Sequence, residues 1–255
     1  MLNPYATMPV RQRNLILLAL VGLSAGAWAL VLWQARSMSG AMGLTMGLGV
    51  ALFLGIWITM MVAMMFPSAA PMILMYGAIS AGKRRQGQPA TPTAVFVGGY
   101  LLIWTAFGAL AYLLANGADL LASQSPWLMA NGARIGGAAL VGAGLYQLTP
   151  LKRICLTKCR TPMQFVLGSW RDGAWGALRM GMEHGAFCLG CCWWLMLILF
   201  PLGVMNVVAM GLLAALIFAE KVLPVGRFIS GLAAAGLIVY GAVVVVAPMA
   251  LPALL

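Results

Sequence analysis

Long stretches without a charged side chain constrain this sequence more than any other feature. The longest of them, residues 37–82, has 46 residues. Uncharged hydrophobic runs of about 18 residues or more are typical of helices that cross a lipid bilayer. The runs are 14–35, 37–82, 86–118, 135–151, 184–219 and 228–255. They predict an all-α fold, a polytopic transmembrane helical bundle that forms one integral membrane domain over residues 1–255.

Prolines, glycines and charges divide these runs into about seven spans of membrane length. The run 37–82 is too long for one upright helix. Pro67 and Pro71 each remove a helix hydrogen bond, so we expect a kink there. The predicted spans are 14–35, 48–80 (kinked at Pro67 and Pro71), 93–115, 131–149, 174–199, 204–221 and 227–248.

Positive charge is concentrated in the short connections between the spans. Lys and Arg number 15 against 4 acidic residues, a net charge of +11. The basic loops (11–13, 83–85, 152–171 and 221–227) alternate regularly with the spans, which indicates the positive-inside pattern of a membrane protein. We therefore expect the N-terminus inside and the C-terminus outside. The partner of these cations is the lipid bilayer with its anionic headgroups, and nucleic acid is not expected as a partner.

The segment 181–192 contains the only histidine and three of the five cysteines. On a helix, His184, Cys188, Cys191 and Cys192 fall at i, i+4, i+7 and i+8, an arc of about 100° on one face. Polar side chains at membrane depth are costly, so their presence favours a function. This face is the first candidate for a metal site.

Two of the acidic residues occupy positions in or at the end of predicted spans. Glu183 points about 100° away from His184 on the helix. It is either a residue that orients a metal ligand or accepts a proton, or a salt-bridge partner of Arg179 four residues earlier. Glu220 and Lys221, at the end of a predicted span, are expected to form an ion pair with each other.

Further sulfur atoms occur in two other segments. Met60, Met61, Met64 and Met65 share one side of the second predicted span, although methionine is also an ordinary filler of apolar cores. Thiols and thioethers select Cu(I), and Cys/His sites also suit zinc. We therefore expect a metal site between the second and fifth predicted spans.

The pair Cys155 and Cys159 lies in the most basic loop. Flanking cations lower the pKa of a thiol and favour the thiolate, so these two residues form a candidate capture site on the cytoplasmic side. The alternative is an ordinary loop with two free thiols.

Three segments together resemble a bacterial family of unknown function described as predicted metal-binding integral membrane proteins. They are 60–67 (Met-Met-Val-Ala-Met-Met-Phe-Pro), 146–162, and 181–193 (Gly-Met-Glu-His-Gly-Ala-Phe-Cys-Leu-Gly-Cys-Cys-Trp). The resemblance covers about residues 50–245. It implies a multi-pass protein of the bacterial cytoplasmic (inner) membrane that binds a metal. The matching positions are Met60, Met61, Met64, Met65, Cys155, Cys159, Glu183, His184, Cys188, Cys191 and Cys192.

The function that this pattern favours is transition-metal binding for transport or delivery, with copper ahead of zinc and a metallochaperone or cuproenzyme as partner. The sequence has no Gly-xxxx-Gly-Lys phosphate loop, so transport would be passive, ion-coupled or driven by the partner. One alternative is a thiol oxidoreductase that cycles Cys188, Cys191 and Cys192 against a quinone, since Cys-xx-Cys is a redox spacing. The other is a non-catalytic subunit of a larger membrane complex, and homo-oligomers also fit.

Overall fold

The computed structural model describes residues 8–37 and 43–251, and the regular structure in these residues is helical, as the sequence predicts. The helices are α1 (Val10–Ser37), α2 (Val50–Arg85), α3 (Thr93–Gln124), α4 (Pro126–Gln147), α5 (Pro150–Arg160), α6 (Pro162–Gly168), α7 (Gly173–Leu197), α8 (Leu199–Leu202), α9 (Val207–Val222) and α10 (Gly226–Val246), followed by a 3₁₀ turn (Pro248–Ala250).

Five helical segments in the described residues are long and apolar enough to cross a membrane. They are α1, α2, α3, the continuous α7–α8 segment Gly173–Leu202, and α10. The other two predicted spans correspond to α4, which contains Asn131 and Arg134, and to α9, which has only 16 residues. The structure therefore supports a multi-pass membrane protein with five candidate spans where the sequence predicts about seven.

Helix α2 continues through both of its prolines, from Val50 to Arg85, beyond the predicted end at residue 80. Pro67 has no N–H to donate to the carbonyl of Ala63, four residues earlier. The hydroxyl of Ser24 on α1 donates to that carbonyl at 3.0 Å. A neighbouring helix thus satisfies the backbone group that the proline leaves free, which apolar surroundings require.

Helix α7 is held against α3 by glycines that let the two backbones touch. A Cβ atom at Gly99 would collide with the carbonyl oxygen of Leu178, and one at Gly181 would collide with that of Phe96. Small residues at such a crossing permit the close approach of two membrane helices. The crossing fixes the position of the face of α7 that begins at His184.

The segment 152–171, predicted as a basic loop, is instead occupied by α5 and α6. Thr149 begins α5 as its N-cap, because its hydroxyl accepts a hydrogen bond from the N–H of Lys152 at 3.3 Å. Pro150 follows at the first helical position, where the missing N–H costs nothing. Helix α5 packs against α7, so its buried face adjoins the candidate site.

Candidate metal centre

The candidate face of α7 is buried along its whole length. His184 is 2% exposed, and Cys188, Cys191 and Cys192 are at most 2% exposed. All five cysteines of the chain are free thiols. The one imidazole and three thiols share a face of α7, as the sequence predicts, and the structure places this face inside the protein.

Cys159 of α5 joins the three cysteines of α7 to form what we term the four-thiol cluster (Cys159, Cys188, Cys191 and Cys192). The thiol of Cys191 lies near the other three thiols of the cluster. The thiols of Cys191 and Cys192 also donate to the carbonyl oxygen of Cys188, at 3.0 and 2.9 Å. The cluster thus links two helices that are distant in sequence.

Lys221 of α9 adjoins this cluster, which was not predicted from the sequence. Its ammonium lies 3.0 Å from Sγ of Cys188 and donates to the hydroxyl of Ser68 at 3.4 Å. The hydroxyl of Tyr100 is 3.2 Å from the same Cys188 sulfur. Lys221 is only 7% exposed, so its charge acts on the thiols with little screening by water.

The expected ion pair between Glu220 and Lys221 is wrong. Glu220 instead accepts a hydrogen bond from Lys152 of α5 at 2.7 Å, in a salt bridge whose side chains are 3% and 1% exposed. Neighbouring residues on a helix point in different directions, so Glu220 and Lys221 cannot face one another. A contact between residues 68 positions apart leaves no local signal in the sequence.

His184 lies among aromatic rings rather than polar partners. Its ring centroid is 5.4 Å from that of Tyr100, 5.7 Å from Phe165 and 6.0 Å from Phe96. Neither ring nitrogen has a hydrogen-bond partner. Buried polar atoms almost always have partners, so an imidazole without any is unusual and marks His184 as a candidate ligand.

Cys155 and Cys159 both face α7 and not the solvent. The sulfur of Cys155 would lie 2.6 Å from a Cβ atom at Gly190, so only glycine fits there. Burial raises the pKa of Cys155, and the hydrogen bond with Cys191 together with burial raises the pKa of Cys159. The expected lowering of these pKa values by flanking cations is wrong, because the thiols lie on the buried side of α5.

The four predicted methionines of α2 belong to the same buried core as the thiols, and each is at most 1% exposed. They are Met60, Met61, Met64 and Met65. Helix α7, however, packs mainly against α3 and α5. In the described contacts, the link from α2 to the four-thiol cluster is indirect. The ammonium of Lys221 contacts both the hydroxyl of Ser68 on α2 and the sulfur of Cys188.

Glu183 forms the salt bridge that was one of its two interpretations. Its carboxylate lies 3.4 Å from Arg179 and 3.5 Å from Arg171. It makes no hydrogen bond to His184, whose nitrogens have no partner. A role in orienting a ligand therefore stays a prediction.

The donor atoms of this region suit a soft metal ion. Within the described ranges, no three His, Cys, Asp or Glu side chains converge on a point that could hold an ion. A bound ion would thus require a change of side-chain rotamer or a contribution from thioethers. Thiols, thioethers and an imidazole fit Cu(I), and the absence of a carboxylate from the cluster argues against a hard cation.

The fold and the site together define a helical protein with several membrane-length helices and a buried, sulfur-rich core. A comparison with family models matches residues 54–244 to the family PpoB2, described as copper chaperone. Because the match covers most of the chain, the protein belongs to this copper chaperone family. This agrees with the resemblance to metal-binding membrane proteins. Searches of the curated proteins and of the solved structures found no match.

Proposed function

We propose that this protein accepts Cu(I) at the four-thiol cluster inside the membrane and delivers it to a partner, such as a cuproenzyme. The observation that carries the proposal is that Cys159 of α5 and the three cysteines of α7 are buried together where these two helices pack. A chaperone must release its cargo, and a site assembled from two helices can open when they separate. The methionines of α2 offer further donors in the same core, and His184, which packs against Phe96 and Tyr100 of that core, offers another.

The charge on Lys221 supports this chemistry. Metal-binding thiols must lose their protons, so Cu(I) held by two of them is an anionic bis-thiolate complex. The ammonium of Lys221, 3.0 Å from Sγ of Cys188, lies where that negative charge develops. An opposite charge at this distance offsets the cost of burying the complex.

The proposal includes a bacterial cytoplasmic membrane, with α4 and α9 as further spans. Helix α4 lies directly on α10, since a Cβ atom at Gly144 would be 2.8 Å from the carbonyl oxygen of Ala234, and one at Gly137 would be 2.9 Å from that of Gly241. Helices in contact at both positions share the same depth. The basic loops favour a cytoplasmic N-terminus. A phosphatase that is active only outside the cytoplasm, fused to the C-terminus, should then be active. An inactive fusion would indicate the opposite orientation.

The test is the metal content of protein purified under reducing, oxygen-free conditions after Cu(I) or Zn(II) is offered. We expect the wild type to retain a stoichiometric amount of copper. The variants Cys188→Ser and Cys191→Ser should lose it while keeping their helical circular dichroism. Retention of zinc but not copper would identify zinc as the cargo. Retention of neither metal would overturn the proposal.

Methionine variants separate copper delivery from the thiol-redox alternative. Replacing Met60, Met61, Met64 and Met65 together by leucine should weaken copper retention, because thioethers are Cu(I) donors. Replacing Met129, which is 68% exposed, by leucine is the matched control. A redox protein would keep its quinone-dependent thiol oxidation in all of these variants. That outcome, without copper binding, would favour the oxidoreductase.

A further inference from the structure

A second candidate site lies beside α5, at a cavity whose lining does not include the thiols. A cavity of about 800 Å³ opens between the C-terminal end of α4, α5 and the start of α10. Its charged and polar lining includes Gln147, Lys152, Arg153, Arg160, Arg227 and Ser230. A cavity of this size matches the range of about 300–1,000 Å³ that is typical of small-molecule sites.

The charge balance of the lining is positive. The charge of Lys152 is matched by Glu220 at 2.7 Å. Arg160 is committed to backbone, because its guanidinium donates to the carbonyl oxygens of residues 220, 223 and 224. Within the described part of the chain, the guanidinium groups of Arg153 and Arg227 make neither a hydrogen bond nor an ion pair. Two guanidinium groups thus remain available for an anion.

Gln147 gives independent evidence for a ligand. It is 3% exposed, and both its Oε1 and its Nε2 are buried without a hydrogen-bond partner. Leaving a buried polar group unsatisfied is unfavourable, so native proteins rarely leave two such groups on one side chain. The amide can donate to an anionic oxygen and accept from a hydroxyl. A ligand with both groups would satisfy it.

We propose that this cavity binds a phosphate-bearing anion, either the headgroup of an anionic phospholipid or a free phosphate compound. Paired guanidinium groups match phosphate oxygens in charge and geometry. Basic pockets between helices at one face of a membrane are typical sites for anionic headgroups. Phosphate oxygen is a hard donor that Cu(I) does not prefer, so the site is separate from the copper cargo and does not depend on it.

The test uses the whole protein, delipidated in a neutral detergent, with thermal unfolding and native mass spectrometry as readouts. The probes are phosphatidylglycerol, phosphatidylcholine and inorganic phosphate. We expect phosphatidylglycerol or phosphate to bind and raise the melting temperature, and phosphatidylcholine to have no effect. A response to phosphatidylglycerol alone identifies a lipid site, whereas a response to phosphate alone identifies a soluble ligand.

Variants assign the binding to this cavity. The double variant Arg153→Gln/Arg227→Gln should bind about tenfold more weakly or worse, because it loses two charge-assisted contacts. Arg84→Gln/Arg85→Gln is the matched control, since it removes the same charge from the exposed end of α2 and should bind normally.

Gln147→Leu should also lose the response, while its melting temperature without ligand is unchanged or higher. Binding by none of the probes would overturn the proposal. Equal binding by both double variants would overturn the proposal as well, because binding would then depend on general surface charge and not on this cavity.

Discussion

The buried salt bridge between Lys152 and Glu220 provides a quantitative test of the packing around α5. Its atoms are 2.7 Å apart, and the two side chains are 1% and 3% exposed. Removing one partner leaves a buried charge without compensation, which costs about 3–5 kcal/mol. We therefore expect Glu220→Gln to lower the free energy of unfolding by about that amount.

The double variant Lys152→Met/Glu220→Leu should behave differently. One oxygen of Glu220, Oε1, has no hydrogen-bond partner, so the native pair is incompletely satisfied. Replacing such a pair by apolar side chains is often neutral or stabilising by about 1–4 kcal/mol. The assay is unfolding in mixed micelles of sodium dodecyl sulfate and a mild detergent, followed by circular dichroism.

The salt bridge between Lys83 and Asp172 is the control, because it is equally short at 2.6 Å but its aspartate is 61% exposed. Water screens such a pair, so Asp172→Asn should cost much less than Glu220→Gln. The reasoning is refuted if Glu220→Gln costs less than about 1 kcal/mol, the value of a surface pair. It is also refuted if the double variant is as unstable as the single one.

Three further predictions concern packing and reactivity. In α3, Gly98→Ala should stabilise the protein by about 1 kcal/mol, whereas Gly99→Ala should destabilise it by about 1–3 kcal/mol, because only Gly99 meets another backbone. Equal melting temperatures would contradict the α3–α7 crossing. Ser24→Ala should cost about 0.6 kcal/mol, and less in a Pro67→Ala background, where the proline's missing N–H is restored. A double-mutant cycle of unfolding free energies measures the coupling between Ser24 and Pro67. No coupling would disprove the hydrogen bond from Ser24 to the carbonyl of Ala63. Cys159, with its raised pKa, should be alkylated slowly at pH 7 until detergent unfolds the chain, as peptide mass spectrometry would detect. Fast labelling of folded protein would disprove its burial.

Features that depend on nearby residues were predictable from the sequence, and features that depend on distant ones were not. The spacing of His184 and Cys188 placed both on one buried face of α7, because helical periodicity is local. The contact of Lys221 with Cys188 joins residues 33 positions apart, so it required the fold. The same applies to Lys152 and Glu220.

The amphipathic character of α5 was also not predicted from the sequence. Its many cations indicated a solvent-exposed loop, and the two cysteines looked like part of it. In the structure, Cys155 and Cys159 share the buried side with Lys152, while Arg153 and Lys158 lie outside. A spacing of four residues between the cysteines fits one helix face, and this was the signal that could have identified the helix.

The position of Lys221 distinguishes between the two kinds of sulfur in the core. Glu220 is engaged by Lys152, and among the described residues no carboxylate pairs with Lys221. A copper ion held only by neutral thioethers would therefore add positive charge beside a buried ammonium, which is unfavourable. The complex of one Cu(I) ion with two thiolates carries one net negative charge, so the ammonium of Lys221 attracts it. Cysteines are thus the ligands that suit Cu(I) next to Lys221, and the methionines of α2 suit positions further from that charge.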